Sequence, residues 1–229
     1  MTVRRAIKVR CLRSKSVGVI ASEDDLARAL RLRRVPDFFE FRLDALPPDL
    51  TRSHARINSL GAELIITARD PREGGMRKMN ARVRARLLRA YLHVASFVDV
   101  ELHSASAMRD VLEAAEHNSI KRIISVHQFD SAASPRTMED WLERARNFAP
   151  DIFKVAVRTD SRSDLDDLLV FFDRHHRELP IAAMGIGKLG RQSRIELARR
   201  GSALNYAHLG RARVDGQLSL ADLRRVLRR

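Results

Sequence analysis

The sequence predicts an α/β fold, a single-domain (β/α)8 TIM barrel, on three observations. Short apolar runs alternate with longer amphipathic runs about eight times. The amphipathic runs repeat their apolar residues at helical spacing. The 229 residues suit one barrel and are short for two domains. An open doubly wound sheet with fewer strands is the alternative.

Taken in order, residues 1–16 form a basic segment with Arg4, Arg5, Lys8, Arg10, Arg13 and Lys15. It is read apart from the barrel, as an extra strand, a plug across the barrel bottom or a loose tail. The barrel is assigned to 17–229. Strands are expected at 17–21, 38–43, 63–68, 97–102, 122–126, 152–157, 181–184 and 204–207, short apolar runs such as buried parallel strands require. Helices are expected at 23–32, where Leu26, Ala29 and Leu30 share a face, and at 81–93 with Leu87, Leu88, Tyr91 and Leu92. The same period places others at 108–116, 138–148, 163–175, 191–200 and 220–227. Ser104, Ser134-Pro135 and Ser163 are candidate helix starts. Pro47-Pro48, Gly74-Gly75, Gly185, Gly187 and Gly190 punctuate the joins.

One cysteine, Cys11, excludes an intramolecular disulfide and a cysteine-rich metal site, and it suits a reducing, cytoplasmic compartment. No run approaches the roughly 18 apolar residues of a membrane span. The basic N-terminus is broken by Ser, Lys and Arg, so it is not read as a signal peptide. The net charge of +14 favours anionic partners. Its arginines are dispersed and aromatic residues are only 5%, so a nucleic-acid surface ranks below a small anionic substrate.

Barrel chemistry sits at the C-terminal ends of the strands. Lys154 stands in the apolar strand Ile152-Phe-Lys-Val-Ala-Val157. Burial disfavours an ammonium ion, which frees the amine to attack a ketone; the alternative is a lysine that snorkels to water. His127 ends the fifth strand, where an imidazole can exchange protons at the mouth. Glu73 follows the third strand in a glycine-hinged loop and can orient an imidazole. The loop 69–80 is expected to act as a lid over an anion. Glu40, Arg42 and Asp44 alternate on one strand, as do Asp99, Glu101 and His103. The second set is a weak metal candidate. Gly185-Ile-Gly187-Lys-Leu-Gly190 lacks the acidic residue of a dinucleotide site and reads better as an anion-receiving loop, with Ser193 and Arg194 opening the next helix.

The ordered set resembles type I 3-dehydroquinate dehydratase over nearly the whole chain. It comprises Glu40-Phe-Arg42-Leu-Asp44, Arg69 with Glu73-Gly-Gly, Asp99-Val-Glu101-Leu and Ser125-Val-His127-x-Phe129. It continues with Lys154-Val-Ala, Met184-x-x-Gly-x-x-Gly-x-x-Ser-Arg194 and Gly216-Gln217. The resemblance implies a cytoplasmic homodimeric hydro-lyase of the shikimate pathway, acting on 3-dehydroquinate without metal or cofactor. It implies that Lys154 forms an imine with the C3 ketone, that His127 moves the C2 proton and protonates the departing C1 hydroxyl, and that Glu73 pairs with His127. Arg194 and Gln217 would hold the substrate carboxylate, and Glu40, Arg42 and Arg69 its hydroxyls. Arg213-Val214-Asp215 stands where the family has Ser-Ala-Pro, Gln128 where it has Asp, and Gly185-Ile186 where it has Ser-Met. Arg213 is expected to support the carboxylate, to turn outward onto Asp215 or to obstruct the pocket. Another imine-forming barrel lyase, such as an aldolase, a homologue with altered substrate and, ranked low, a basic RNA-binding barrel are the alternatives.

Overall fold

The computed structural model describes residues 14–47 and 54–228. Strands and helices alternate as β1 (Lys15–Ile20), α1 (Glu23–Leu30), β2 (Phe38–Arg42), α2 (His54–Asn58), β3 (Glu63–Thr67), α3 (Ala81–Tyr91), β4 (Phe97–Glu101), α4 (Leu102–Ala105) and α5 (Arg109–His117). Then come β5 (Lys121–Gln128), α6 (Pro135–Arg146), β6 (Ile152–Arg158), α7 (Arg162–His175), β7 (Ile181–Ile186), α8 (Gly190–Arg200), β8 (Leu204–His208), β9 (Leu218–Ser219) and α9 (Leu220–Leu227). Strand β1 starts at Lys15, so Lys15 and Ser16 lie in the barrel wall. The rest of the expected N-terminal segment, up to residue 13, lies outside the described residues.

Every pairing is parallel, in the order β7-β6-β5-β4-β3-β2-β1-β8-β9. Alternate residues of each strand face opposite ways, and the core divides accordingly. Phe39, Phe41, Ile66, Val98, Ile124 and Phe153 pack outward under the helices. Val17, Ile65, Phe97, Ile123 and Ile152 fill the barrel floor. One step further along, the inward positions turn polar: Glu40, Thr67, Asp99, Ser125 and Lys154 are all buried.

The ring closes at a seam of different construction. Among the described residues β7 and β8 form no ladder; one backbone bond joins their N-terminal ends, from Ala203 N–H to the Ile181 carbonyl at 2.8 Å. The free amides of β7 are met by serine hydroxyls instead, Ala183 N–H by Ser202 Oγ at 3.2 Å and Gly185 N–H by Ser193 Oγ at 2.9 Å. Nearer the mouth, the open edge of β8 pairs with the two-residue β9, Ala207 with Leu218.

Helix starts follow capping chemistry. Ser22, Ser134 and Ser219 each accept a backbone N–H of the first turn. The cap of α7 is Ser161, which forms a capping box with Asp164, rather than the expected Ser163. Ser104 lies inside α4 and is no cap; its hydroxyl accepts from Arg84 at 2.7 Å. No helix among the described residues is long and apolar enough to cross a membrane.

Candidate active site

A cavity of about 690 Å³ opens at the C-terminal ends of the strands, and all nine expected site residues line it: Glu40, Arg42, Arg69, Glu73, His127, Lys154, Arg194, Arg213 and Gln217. Lys154 and Ser125 are paired positions on β6 and β5. Its strand is apolar as expected, yet its amine meets two carboxylates, Asp99 at 2.9 Å and Glu40 at 3.3 Å. The Tyr206 ring lies beneath it, 3.9 Å from Nζ to the ring centre. Burial pushes the Glu40 carboxyl up, but Lys154, Arg42 and Arg69 hold it below the usual range. Thr67 Oγ1 also donates to Glu40, at 3.1 Å.

Arg69 knits the wall together. Its guanidinium donates to Asp99 at 2.8 Å, to Glu101 at 3.0 Å and to Ser125 at 2.7 Å. Behind it, Arg84 of α3 is fully buried and binds Glu101 at 2.5 Å and Asp70 at 2.7 Å. Arg84→Met should cost roughly 1.5–3 kcal/mol, because Glu101 and Asp70 each lose a charged hydrogen bond while Glu101 keeps Arg69 and Asp70 keeps Arg72 and His103. Urea unfolding checks this; an unchanged midpoint would remove the network from the stability of the barrel.

Glu73 is brought to His127 by the turn that follows β3. Gly74 takes φ +83°, and a Cβ on Gly75 would stand 2.2 Å from the Arg69 carbonyl oxygen, so both glycines are needed to fold the turn this tightly. Glu73 Oε2 accepts the His127 backbone N–H at 2.9 Å and contacts ring Nδ1 at 2.9 Å. The carboxylate assigns the ring proton to Nδ1 and leaves Nε2 as the free base. Burial, then Arg69, push His127 down to about 4 against the pull of Glu73. Burial pushes Glu73 up, but His103 and His127 hold it at about 2. The imidazole is thus neutral at pH 7 and its partner ionised.

The expected lid is tied down at several points. Asp44 accepts Arg42 through both oxygens at 2.8 Å, Arg69 N–H at 3.1 Å and Met76 N–H at 3.0 Å. Arg77 donates to the carbonyls of Leu43, Asp44 and Leu46.

Arg194 is the exception among the cations. It is buried, it meets no carboxylate among the described residues, its Nε has no hydrogen-bond partner, and Nη1 donates to the Tyr206 carbonyl at 3.5 Å. Burial with no compensating carboxylate lowers it to about 10. A buried guanidinium without an anion is costly, and a ligand carboxylate would supply what is missing.

The family model for type I 3-dehydroquinase matches residues 16–229. The chain belongs to this family. The 3-dehydroquinate dehydratase of Methanothermobacter thermautotrophicus is 32% identical over 192 residues, covering 83% of this chain and 84% of its own. That of Geobacillus kaustophilus is 31% identical over 249 residues, covering 97% and 95%. The crystal structure of the Geobacillus kaustophilus enzyme superposes with a TM-score of 0.83 at 30% identity, over 93% of this chain and 90% of that one.

Several features of this type I 3-dehydroquinase differ from what its sequence suggests. Arg213 pairs with Asp25 of α1 at 2.7 Å rather than with Asp215, and its backbone N–H donates to Gln217 Oε1 at 2.9 Å. The 185–190 loop receives an internal anion: Lys188 N–H donates to Asp160 at 2.8 Å. The supposed metal candidates face cations or each other's partners. Asp99 meets Arg69 and Lys154, Glu101 meets Arg69 and Arg84, and His103 meets Glu73 and Asp70. Strand β4 ends at Glu101, so His103 does not share its face. Among the described residues no three His, Cys, Asp or Glu side chains converge as a metal site.

Tyr206 and Arg84 carry parts of the site that the sequence reading left unassigned, while His103, read there as a metal candidate, and Ser125, read only as part of the motif, bind Glu73 and Arg69 instead. Arg84 did leave a signal, since it falls with Leu88 and Tyr91 on the buried stripe of α3.

Proposed function

We propose that this chain is a 3-dehydroquinate dehydratase, converting 3-dehydroquinate to 3-dehydroshikimate and water through a lysine imine. The observation that carries the reading is the buried guanidinium of Arg194, which meets no carboxylate among the described residues, in the same cavity as Lys154 and the Glu73–His127 pair. It calls for a substrate with a carboxylate at one end and a ketone at the other. Arg194 and Gln217 hold the carboxylate, while Glu40, Arg42 and Arg69 meet the hydroxyls.

The chemistry follows from the electron sink that an iminium provides. The Lys154 amine adds to the C3 carbonyl and the carbinolamine loses water. His127 Nε2 removes a C2 proton, and the electron pair enters the enamine. The enamine expels the C1 hydroxyl, which takes the proton back from His127 and leaves as water. Hydrolysis of the conjugated imine returns Lys154 and the product. The Glu73 carboxylate stabilises the imidazolium between the two transfers. The same reading, on family resemblance, makes the protein a cytoplasmic homodimer.

The test is addition of 3-dehydroquinate to the purified protein. The product is a conjugated enone and the substrate is not, so turnover appears as new ultraviolet absorbance. A folded protein that leaves the substrate unchanged overturns the reading.

Arg213 replaces the family's serine, and Arg213→Ser measures its part. A guanidinium bound to the substrate carboxylate contributes about 1.5–3 kcal/mol, so its removal would raise KM at least about tenfold. Because Arg213 is held by Asp25, a much smaller rise is expected. A tenfold rise would place the substrate on Arg213, and a large gain in activity would show an obstructed pocket.

A further inference from the structure

His103 holds Glu73 from the side away from His127. It stands in α4, two residues past the end of β4. Both of its ring nitrogens meet carboxylate oxygens: Nδ1 lies 2.8 Å from Glu73 Oε1, and Nε2 lies 3.2 Å from Asp70 Oδ2. An ionised carboxylate only accepts hydrogen bonds, and a neutral imidazole has a single N–H. One proton on Nδ1 serves the hydrogen bond to Glu73, and a second on Nε2 places positive charge 3.2 Å from the Asp70 carboxylate, so the two acids together favour the imidazolium. We propose that His103 is a positioning residue that stays protonated in the resting protein and sets the proton affinity of His127 through the Glu73 carboxylate between them.

The division of Glu73 supports this. Oε1 serves His103, and Oε2 serves the ring and backbone of His127. A carboxylate shared with a second cation attracts the first less strongly. Without that second charge, Glu73 would tend to fix His127 as an imidazolium, which is no base. With it, His127 keeps a bare Nε2 to take a substrate proton.

The surrounding charges act on the pair from several elements. His103 faces Glu73 and Asp70 from the turn after β3, and Arg72 of the same turn opposes its charge. Arg84 of α3 shares Asp70 Oδ2 with it. His127 faces Glu73, Arg69 and Lys154, and the last two push it the same way as His103. The His103 side chain is 29% exposed and that of His127 11%, so the first exchanges protons with solvent more readily. Burial disfavours the charge on His103, but the Glu73 and Asp70 contacts outweigh it and raise its proton affinity.

The inference rests on the base role given to His127, yet the coupling is read in the free protein, without substrate. Histidine ring resonances are followed by NMR as pH is varied in the wild type, His103→Asn and His103→Leu. Asparagine keeps a donor near the position of Nδ1 and removes the charge; leucine removes both. The His127 midpoint should rise by about one pH unit in both variants, and the acid limb of kcat/KM should move with it. Wild-type His103 should carry both ring protons at pH 7. A His127 midpoint unmoved in both variants, or a neutral His103 at pH 7, overturns the proposal even if the protein dehydrates 3-dehydroquinate. A shifted midpoint in a protein without that activity supports the coupling and rejects only the dehydratase reading.

Discussion

Lys154→Ala is expected to abolish both turnover and the adduct trapped when borohydride is added with 3-dehydroquinate. In the parent protein, peptide mass analysis should find the reduced ligand on the peptide containing Lys154. No other lysine among the described residues lines the cavity, so label elsewhere would reject the assignment. The variant should fold, with reduced stability. Asp99 keeps Arg69 and Ser125, and Glu40 keeps the Thr67 hydroxyl, so neither carboxylate is stranded. Lys154→Met, which fills more of the space, separates lost chemistry from lost packing: it should be as inactive as alanine and more stable.

His127→Ala should slow the overall reaction by roughly 10²–10⁴-fold, the usual worth of a placed acid–base group. Its distinguishing mark is accumulation. Lys154 can still form the imine, but the C2 proton has nowhere to go, so borohydride should trap more adduct than in the parent. Turnover at the parent rate would remove His127 from the mechanism. Glu73→Gln should be milder. Its amide oxygen can face the His127 ring and backbone, but the charge that stabilises the imidazolium is gone. For the same reason its acid limb should lie below that of the parent.

The fold was legible because inward and outward positions alternate along each strand and the helices between them keep a 3.6-residue stripe. What escaped was short. Helix α2 spans five residues, α4 four and β9 two, too few to display a period. The nine expected residues stand out in the sequence because their types and order match the family pattern, and all nine line the cavity. Their partners do not stand out. Carboxylates at Asp99 and Glu101 do not declare which cation they will meet; here it is a lysine and two arginines from three other elements. By spacing His103 continues the strand alternation, but β4 ends at Glu101 and its ring meets Glu73. The partner of Arg213 is Asp25, at the opposite end of the chain, which no local pattern could reveal.

The break between β7 and β8 has a consequence for how the site is furnished. In a ring of eight complete ladders, every polar group inside must come from a strand or from a loop over the rim. A helix on the outside is walled off by the continuous backbone hydrogen bonding. Here the wall has a window. Arg194 belongs to α8, outside the ring, yet its guanidinium lines the interior cavity and donates to the Tyr206 carbonyl of β8. Gln217 enters from the same side, just ahead of β9. The size of the opening is set by side chains, since Ser193 and Ser202 stand where carbonyls would otherwise hold the strands about 4.8 Å apart. Two hydroxyls thus frame the passage through which an external helix delivers its charge to the interior.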